Sequence, residues 1–373
     1  MIRLYGVTQG QGSLVRVTDG VRQALLSMGL LAGFVPVDAY DEDASYPGGE
    51  AAVGVLTAPP EHAWMMKALG KHGSRLVLVP PNSSWVPVKL MEELRAQATG
   101  MIAPSKWAEG ILLPYSIEYG LRVSVWKHGV DERFLPHERE AEQRRTDYGA
   151  GAFDVLHMSS TERERKGSRE LIVGWAMALR KGNGTLLGSR PRLILCADDP
   201  TGKLKQLLDD VARGENRILS SVAWTRSRME YTVVEAAKNY RRYHLLCQPS
   251  RGEAFGLTNL EARACGVPIA ATDCTGHSAS IRQGDPGVVV VETGKDAPID
   301  DGPGATAPSL TPEAICEALG EAHASWMQLQ EDALAYAPSL ARQWSWTEVT
   351  RQWLDAHPIL SDWPRQRKSE VPR

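Results

Sequence analysis

Two glutamates define the chemistry this chain can carry. Glu253 and Glu261, separated by seven residues, sit in the segment GEAFGLTNLEARACGVPIAATD, with Phe255 and Gly256 marking a helix start between them. The first carboxylate is then held on the loop ahead of the helix, and the second lies one to two turns inside it. The N–H groups of Gly256, Leu257 and Thr258 have no preceding helical turn to supply a carbonyl, so they form an anion site reinforced by the helix dipole. A carboxylate accepts paired hydrogen bonds from vicinal hydroxyls. Amides for a diphosphate, flanked by carboxylates for diols, are what recognition of a nucleotide-sugar requires. Taken alone, the same pair reads as a helix cap and a solvated helix residue, and for an isolated pair at this spacing that plainer reading is favoured.

Such a site has to be carried on the ends of strands. Short β-branched runs alternate with helical stretches along most of the chain. Strands are expected at 2–7, 52–56, 76–79, 101–103 and 123–126, with helices at 15–28, 61–71, 88–99 and 105–119. A glycine-rich loop, 8–13, follows the first strand. The segment 137–151 (HEREAEQRRTDYGAG) has almost no apolar residues and ends in glycine, as a linker between two cores does. The rhythm then restarts, with strands at 154–158, 192–196, 218–220, 245–248, 268–271 and 287–291. Helices are expected at 169–181, 203–213, 230–240 and 256–264. Residues 296–312 read as a surface loop, and the remainder as helix interrupted near Pro338. The expected organisation is a domain at 1–136, a linker at 137–151, a second domain at 152–335 and a C-terminal helix with tail at 336–373. The fold class is α/β: two Rossmann-like, doubly wound parallel-sheet domains facing each other across a cleft, with the C-terminal helix returning to the first. Ligands of such sheets bind beyond the carboxyl ends of the strands, in loops leading into helices.

Composition narrows the class. The 373 residues are 43% hydrophobic and 23% charged, which excludes a disordered or fibrous chain. No apolar run approaches the ~20 residues of a membrane helix. The opening MIRLYGVTQG meets glycines before an apolar core can form, so no signal peptide is expected. Five scattered cysteines without CxxC spacing give neither a zinc site nor a disulfide framework, and a cytoplasmic location is expected. Residues 1–135 carry 12 Lys/Arg against 13 Asp/Glu, so no basic surface for nucleic acid or anionic lipid is indicated. The basic tail after Pro364 reads as a frayed, solvated end.

The segment around Glu253 and Glu261 resembles the donor-site signature of the retaining GT-B glycosyltransferases, in particular glycosyltransferase family 4. WKHGVDERFLP (126–136), RERKG (163–167), RLILCADDP (192–200) and the WSW at 344–346 fall in the order that family shows. The resemblance implies a hexosyltransferase using a UDP- or GDP-linked sugar as co-substrate, with no other cofactor and no metal. It implies that Lys166 contacts the donor diphosphate, with Glu253 near the donor sugar and Glu261 near the ribose. Gly10 and Gly12 resemble its glycine turn, although QGQGS reads equally as a plain tight turn. The nucleobase is expected near 221–223, which makes Ser221 a donor-site candidate.

Three positions depart from the family, the first being His128, which stands where an asparagine is usual. Ser160 stands where an arginine is usual, leaving Arg163 or Arg165 to substitute. The loop after strand 76–79 carries Pro80, Pro81, Asn82 and Ser83 where many members have a histidine. His72 precedes that strand. Asn82 can offer a hydrogen bond, and His277, expected at a cleft-facing turn, is the other substitute; for a lone histidine the satisfied or solvent-facing reading is favoured. The acidic run at 41–45 and the pair Asp198 and Asp199 read as solvated turns. Trp85 and Trp107 are candidates for stacking on a sugar or base. The competing readings are a non-catalytic scaffold of the same fold and a transferase acting on hydroxylated bases in DNA, the latter disfavoured by the charge balance. The acceptor has no signature beyond a hydroxyl, and no sign of a membrane or nucleic-acid partner is found.

Overall fold

A computed structural model describes residues 1–9, 13–38, 53–58, 62–63, 65, 74–159, 164–181, 186–196, 199–225 and 231–356. In chain order its elements begin with β1 (Ile2–Gly6), α1 (Ser13–Ser27), β2 (Leu31–Pro36), β3 (Val53–Leu56), β4 (Ser74–Leu78), α2 (Val88–Gln97), β5 (Gly100–Ala103), α3 (Lys106–Tyr119) and β6 (Arg122–Val125). They continue with α4 (Glu138–Gly149), β7 (Ala152–Met158), α5 (Ser168–Arg180), β8 (Arg190–Cys196), α6 (Lys203–Ala212), α7 (Asn216–Ser220), β9 (Val222–Trp224), α8 (Val233–Arg241), β10 (Leu245–Gln248) and α9 (Leu257–Ala264). The last are β11 (Ile269–Ala271), β12 (Val288–Val290), β13 (Asp296–Pro298), β14 (Thr306–Pro308), α10 (Pro312–Ala324), α11 (Trp326–Gln343) and α12 (Trp346–Ala356).

The chain divides into two compact units. The first comprises 1–81, 86–129 and 343–373, and the second comprises 82–85 and 130–342. Unit 1 is built on a six-stranded sheet of order β2-β1-β3-β4-β5-β6, parallel throughout. Its core gathers Tyr5, Leu56, Val77, Met91, Met101 and Leu112. Helix α12 packs in this unit, with the Trp353 indole stacked on Trp126 at 4.2 Å and donating from Nε1 to Ser124 Oγ at 3.3 Å. Unit 2 repeats the plan, with a parallel sheet of order β12-β11-β10-β7-β8-β9. Phe153, Val155, Leu193, Leu195, Leu245 and Cys247 point from its central strands into a core closed by Trp175, Ile315 and Trp326. Both sheets are the all-parallel α/β architecture expected from the alternation.

Several local expectations change. Residues 137–151, read as a linker, form α4, which is integrated into unit 2: Arg144 donates to the carbonyls of Arg241 and Gly266 and to Gln330 Oε1, and Tyr148 stacks on Trp326. Its inward groups are one alanine, an arginine stem and a tyrosine, so no apolar stripe announces it. Strand β2 was not expected; it is an edge strand, mostly half-buried, containing Gly33 and ending at Pro36. The run 218–220 closes α7, and the strand follows at β9, because the three residues Ile218, Leu219 and Ser220 are too few for period to arbitrate. Residues 296–312 hold the antiparallel hairpin β13–β14. Pro338 lies inside α11 instead of interrupting it. The helix expected at 61–71 lies almost wholly outside the described residues.

Candidate functional site

Unit 2 gathers the site from three loops at the carboxyl ends of its strands. Beyond β10, residues 249–256 lead into α9, with Gly256 as N-cap at φ 96°. A β-carbon there would lie 2.4 Å from His277 Cδ2, on top of a backbone conformation that L-residues avoid, so only glycine fits. Gly256→Ala is therefore expected to cost about 1–3 kcal/mol of stability, measurable as a lowered denaturation midpoint. In the first turn of α9 the Asn259 N–H donates to the Gly256 carbonyl at 3.1 Å, whereas the N–H groups of Leu257 and Thr258 have no intrahelical acceptor.

Beyond β7, the 310 turn Glu164–Lys166 brings two cations to Glu253. Lys166 Nζ donates to Glu253 Oε1, Ser250 Oγ donates to the same oxygen at 3.0 Å, and Arg165 Nη1 stands 3.6 Å away. Arg165 also donates to the Gly252 carbonyl at 2.7 Å. The Lys166 and Glu253 side chains are 12% and 14% exposed, so the pair is largely sheltered from solvent. Burial pushes the Glu253 carboxyl up, but Lys166 and Arg165 outweigh it and hold the group well below the usual carboxylate range.

The third loop follows β11. Thr275 Oγ1 accepts the Glu253 N–H at 3.1 Å, and Gly276 N–H donates to the Glu253 carbonyl at 2.7 Å. His277 is not at an open turn. It is buried, with Nδ1 3.2 Å from both Thr272 Oγ1 and the Thr272 carbonyl. The Thr272 hydroxyl spends its proton on the Ser250 carbonyl, so both of these oxygens act as acceptors and Nδ1 carries the imidazole proton. Its ring abuts Gly256, and Nε2 is buried without a hydrogen-bond partner.

Burial holds several imidazoles neutral: His277 and His157 are pushed down to about 4 and His128 to about 3. Their unfolded values lie near 6.5, so between pH 6.5 and 4 the unfolded chain binds more protons and stability rises with pH. A melting temperature flat above pH 7 and falling as pH drops below 6.5 is expected; a plateau extending to pH 5 would contradict it.

The remaining candidates divide. Glu261 is buried on the second turn of α9, where Oε2 accepts from the Tyr240 hydroxyl at 2.8 Å, so it is not the solvated residue of the plainer reading. Ser221 offers no free hydroxyl, since its Oγ accepts from Trp175 Nε1 at 2.9 Å and donates to the Ile218 carbonyl at 2.8 Å. The Asn82 carbonyl occupies the space a β-carbon on Gly252 would need, which puts this residue beside the 249–256 loop. Next to it, Ser84 pairs with Thr306. Trp85, a stacking candidate, instead packs on Gly302 and the small cluster of Ile299, Ala305 and Ala307. Trp107 packs against the core of unit 1. Asp199 accepts the amides of Leu204 and Lys205, a helix-start role. Gly10, Gly12, Arg163, Ser160, His72, Asp198 and the run 41–45 lie outside the described residues.

Sequence reasoning passed over Ser250, Arg251 and Thr275. Arg251 donates to Glu164 Oε1 and to the Pro308 carbonyl, tying the 310 turn to the hairpin. Ser250 and Arg251 stand within three residues of Glu253, and that proximity was the available signal. Thr275 is 22 residues away and offered none.

Comparison with known proteins follows the same outline. Residues 152–300 match the family described as Glycosyl transferases group 1. The chain is 27% identical over 256 residues to D-inositol 3-phosphate glycosyltransferase of Corynebacterium urealyticum, covering 67% of this chain and 54% of that protein. It is 28% identical over 277 residues to D-inositol 3-phosphate glycosyltransferase 1 of Catenulispora acidiphila, covering 65% and 63%. It therefore spans less than two thirds of the length of these curated relatives. Among solved structures, Anabaena Alr3699/HepE in complex with UDP and glucose superposes with a TM-score of 0.64 at 12% identity, covering 96% of this chain and 99% of that one. Sucrose-phosphate synthase from Thermosynechococcus elongatus gives 0.66 at 16% identity, covering 96% and 98%. These likenesses show the fold, that of the GT-B glycosyltransferases. Among the described residues no helix is long and apolar enough to cross a membrane.

Proposed function

We propose that this chain, with a group 1 glycosyltransferase domain at residues 152–300 and a GT-B fold, moves a hexose from a UDP- or GDP-linked donor to a hydroxyl acceptor with retention at the anomeric carbon. The observation that carries this reading is the convergence of Lys166, Arg165 and Glu253 ahead of α9. Breaking the anomeric bond builds positive charge on the sugar and negative charge on the departing diphosphate. Lys166, Arg165 and the first-turn amides of α9 supply the opposing charge, which is why we read the reaction as independent of a metal. Glu253 orients the sugar through its hydroxyls. The acceptor attacks from the face the diphosphate leaves, and a diphosphate oxygen takes the acceptor's proton. That step assigns the base to the leaving group, so it needs no histidine in the loop at Asn82.

Without a ligand, Lys166 and Glu253 are bound to each other. Donor binding exchanges those partners: the ammonium turns to the diphosphate and the carboxylate to the sugar. We place the reaction in the cytoplasm, where nucleotide-sugars are made. The test is incubation with UDP- and GDP-sugars and a panel of hydroxyl acceptors, with mass spectrometry of the products and calorimetry of UDP and GDP binding. A glycosylated product with retained configuration is expected. Binding without donor consumption across the panel would refute the transferase and leave a scaffold.

A further inference from the structure

Two residues other than glycine have positive φ among the described residues, and one of them, Thr275 at φ 51°, touches the site. For a β-branched side chain this backbone region is a true outlier, because Cβ crowds the neighbouring carbonyl. Arg213, the other, is an exposed C-cap at the end of α6, away from the site loops. At Thr275 the unusual conformation aims Oγ1 at the Glu253 N–H, 3.1 Å away. The next residue completes the grip. Gly276 N–H donates to the Glu253 carbonyl, and a β-carbon on Gly276 would collide with the carbonyls of Glu253 and Ala254 at 2.2–2.3 Å. One turn thus takes both the donor and the acceptor of Glu253's main chain. The Ser278 hydroxyl bonds the Thr275 carbonyl at 2.7 Å and braces the turn.

We propose that Thr275 is a positioning residue for Glu253, held in the left-handed region because only there does its hydroxyl fix the backbone from which the carboxylate projects. A residue that served packing alone would relax this strain by being glycine or asparagine. The inference rests on the reading of Glu253 as the donor-sugar carboxylate, and its consequence is specific. Loosening the Glu253 backbone should weaken alignment of the reacting sugar while leaving the diphosphate grip of Lys166 and α9 in place.

The experiment uses the full chain with three variants, Thr275→Val, Thr275→Ser and Thr275→Gly. Hydrogen exchange at the Glu253 amide reads the grip directly. It should accelerate at least tenfold in the valine and glycine variants and stay within threefold of wild type in serine, which keeps the acceptor. Steady-state release of UDP or GDP, with whichever of UDP-glucose, UDP-N-acetylglucosamine and GDP-mannose the wild type consumes, should show kcat lowered about tenfold in valine and glycine. KM for the donor and calorimetric Kd for the nucleoside diphosphate should move less than twofold, and serine should restore kcat. The glycine variant, relieved of strain, should melt no lower than wild type, which keeps the test open if the valine variant folds poorly. Unchanged exchange in both the valine and glycine variants, or kcat, Kd and melting temperature falling together, would overturn the proposal. If Glu253→Gln itself leaves kcat intact, the reading of Glu253 fails, and the exchange data still decide whether Thr275 holds it.

Discussion

Glu253→Gln is expected to fold, to lose donor turnover by about 10²–10³-fold, and to bind nucleoside diphosphate more tightly than wild type. The two effects run in opposite directions for one reason. In the ligand-free site the carboxylate holds Lys166 and stands 3.6 Å from Arg165, so it competes with a diphosphate for the same cations. Neutralising it frees those cations and removes a like charge from the neighbourhood of the phosphates, which should tighten UDP or GDP binding by roughly 3–10-fold. The sugar, however, loses an ionised acceptor for its hydroxyls. Calorimetry with UDP and GDP alongside turnover of the accepted donor checks both arms. Loss of binding and turnover together, with the circular dichroism spectrum intact, would mean that Glu253 belongs to the diphosphate site and not to the sugar.

Lys166→Met is expected to act on binding and turnover alike. Methionine keeps much of the stem's volume and removes the charge, so nucleoside diphosphate affinity should fall about 10–100-fold and turnover about 10²-fold. Stability should suffer less than the ~3–5 kcal/mol typical of a broken buried pair, because Arg165 and Ser250 remain around Glu253. The acid limb of the stability curve provides a second readout. A carboxyl held below its unfolded value of 4.5 adds stability that is present above that pH and lost as pH falls beneath it. With Lys166 removed the depression shrinks, so the loss below pH 4.5 should become shallower in the variant. Superposable acid limbs would show that the pair does not persist in solution.

Much of this site was legible in the chain. Glycine at 256 ahead of LTNLEA announced a helix start, and Glu253 one turn earlier announced a carboxylate in front of it; both stand in the structure as read. These are local statements, about which groups a helix leaves unbonded and which residue tolerates φ 96°. The alternation of strands and helices was legible for the same reason, since buried parallel strands write themselves as short apolar runs. Strand β2 and helix α4 were not. One is an edge strand interrupted by glycine, and the other turns mainly Ala141, Arg144 and Tyr148 inward, so neither carries a period.

The sequence by itself determined the kind of fold and placed Glu253 and Gly256 at the start of α9, because helix starts, strand periods and glycine-only turns are decided within a few residues of the chain. It could not say what meets Glu253. Lys166 lies 87 residues before it and Thr275 22 after, and only the pairing of β10 with β7 and β11 brings their loops to one place. Nor could it tell that His277 is buried with its proton committed to Thr272, or that Glu261 answers Tyr240. Burial and partner choice are properties of packing between distant segments, and it is those, through desolvation and nearby charge, that decide what each of these groups can do.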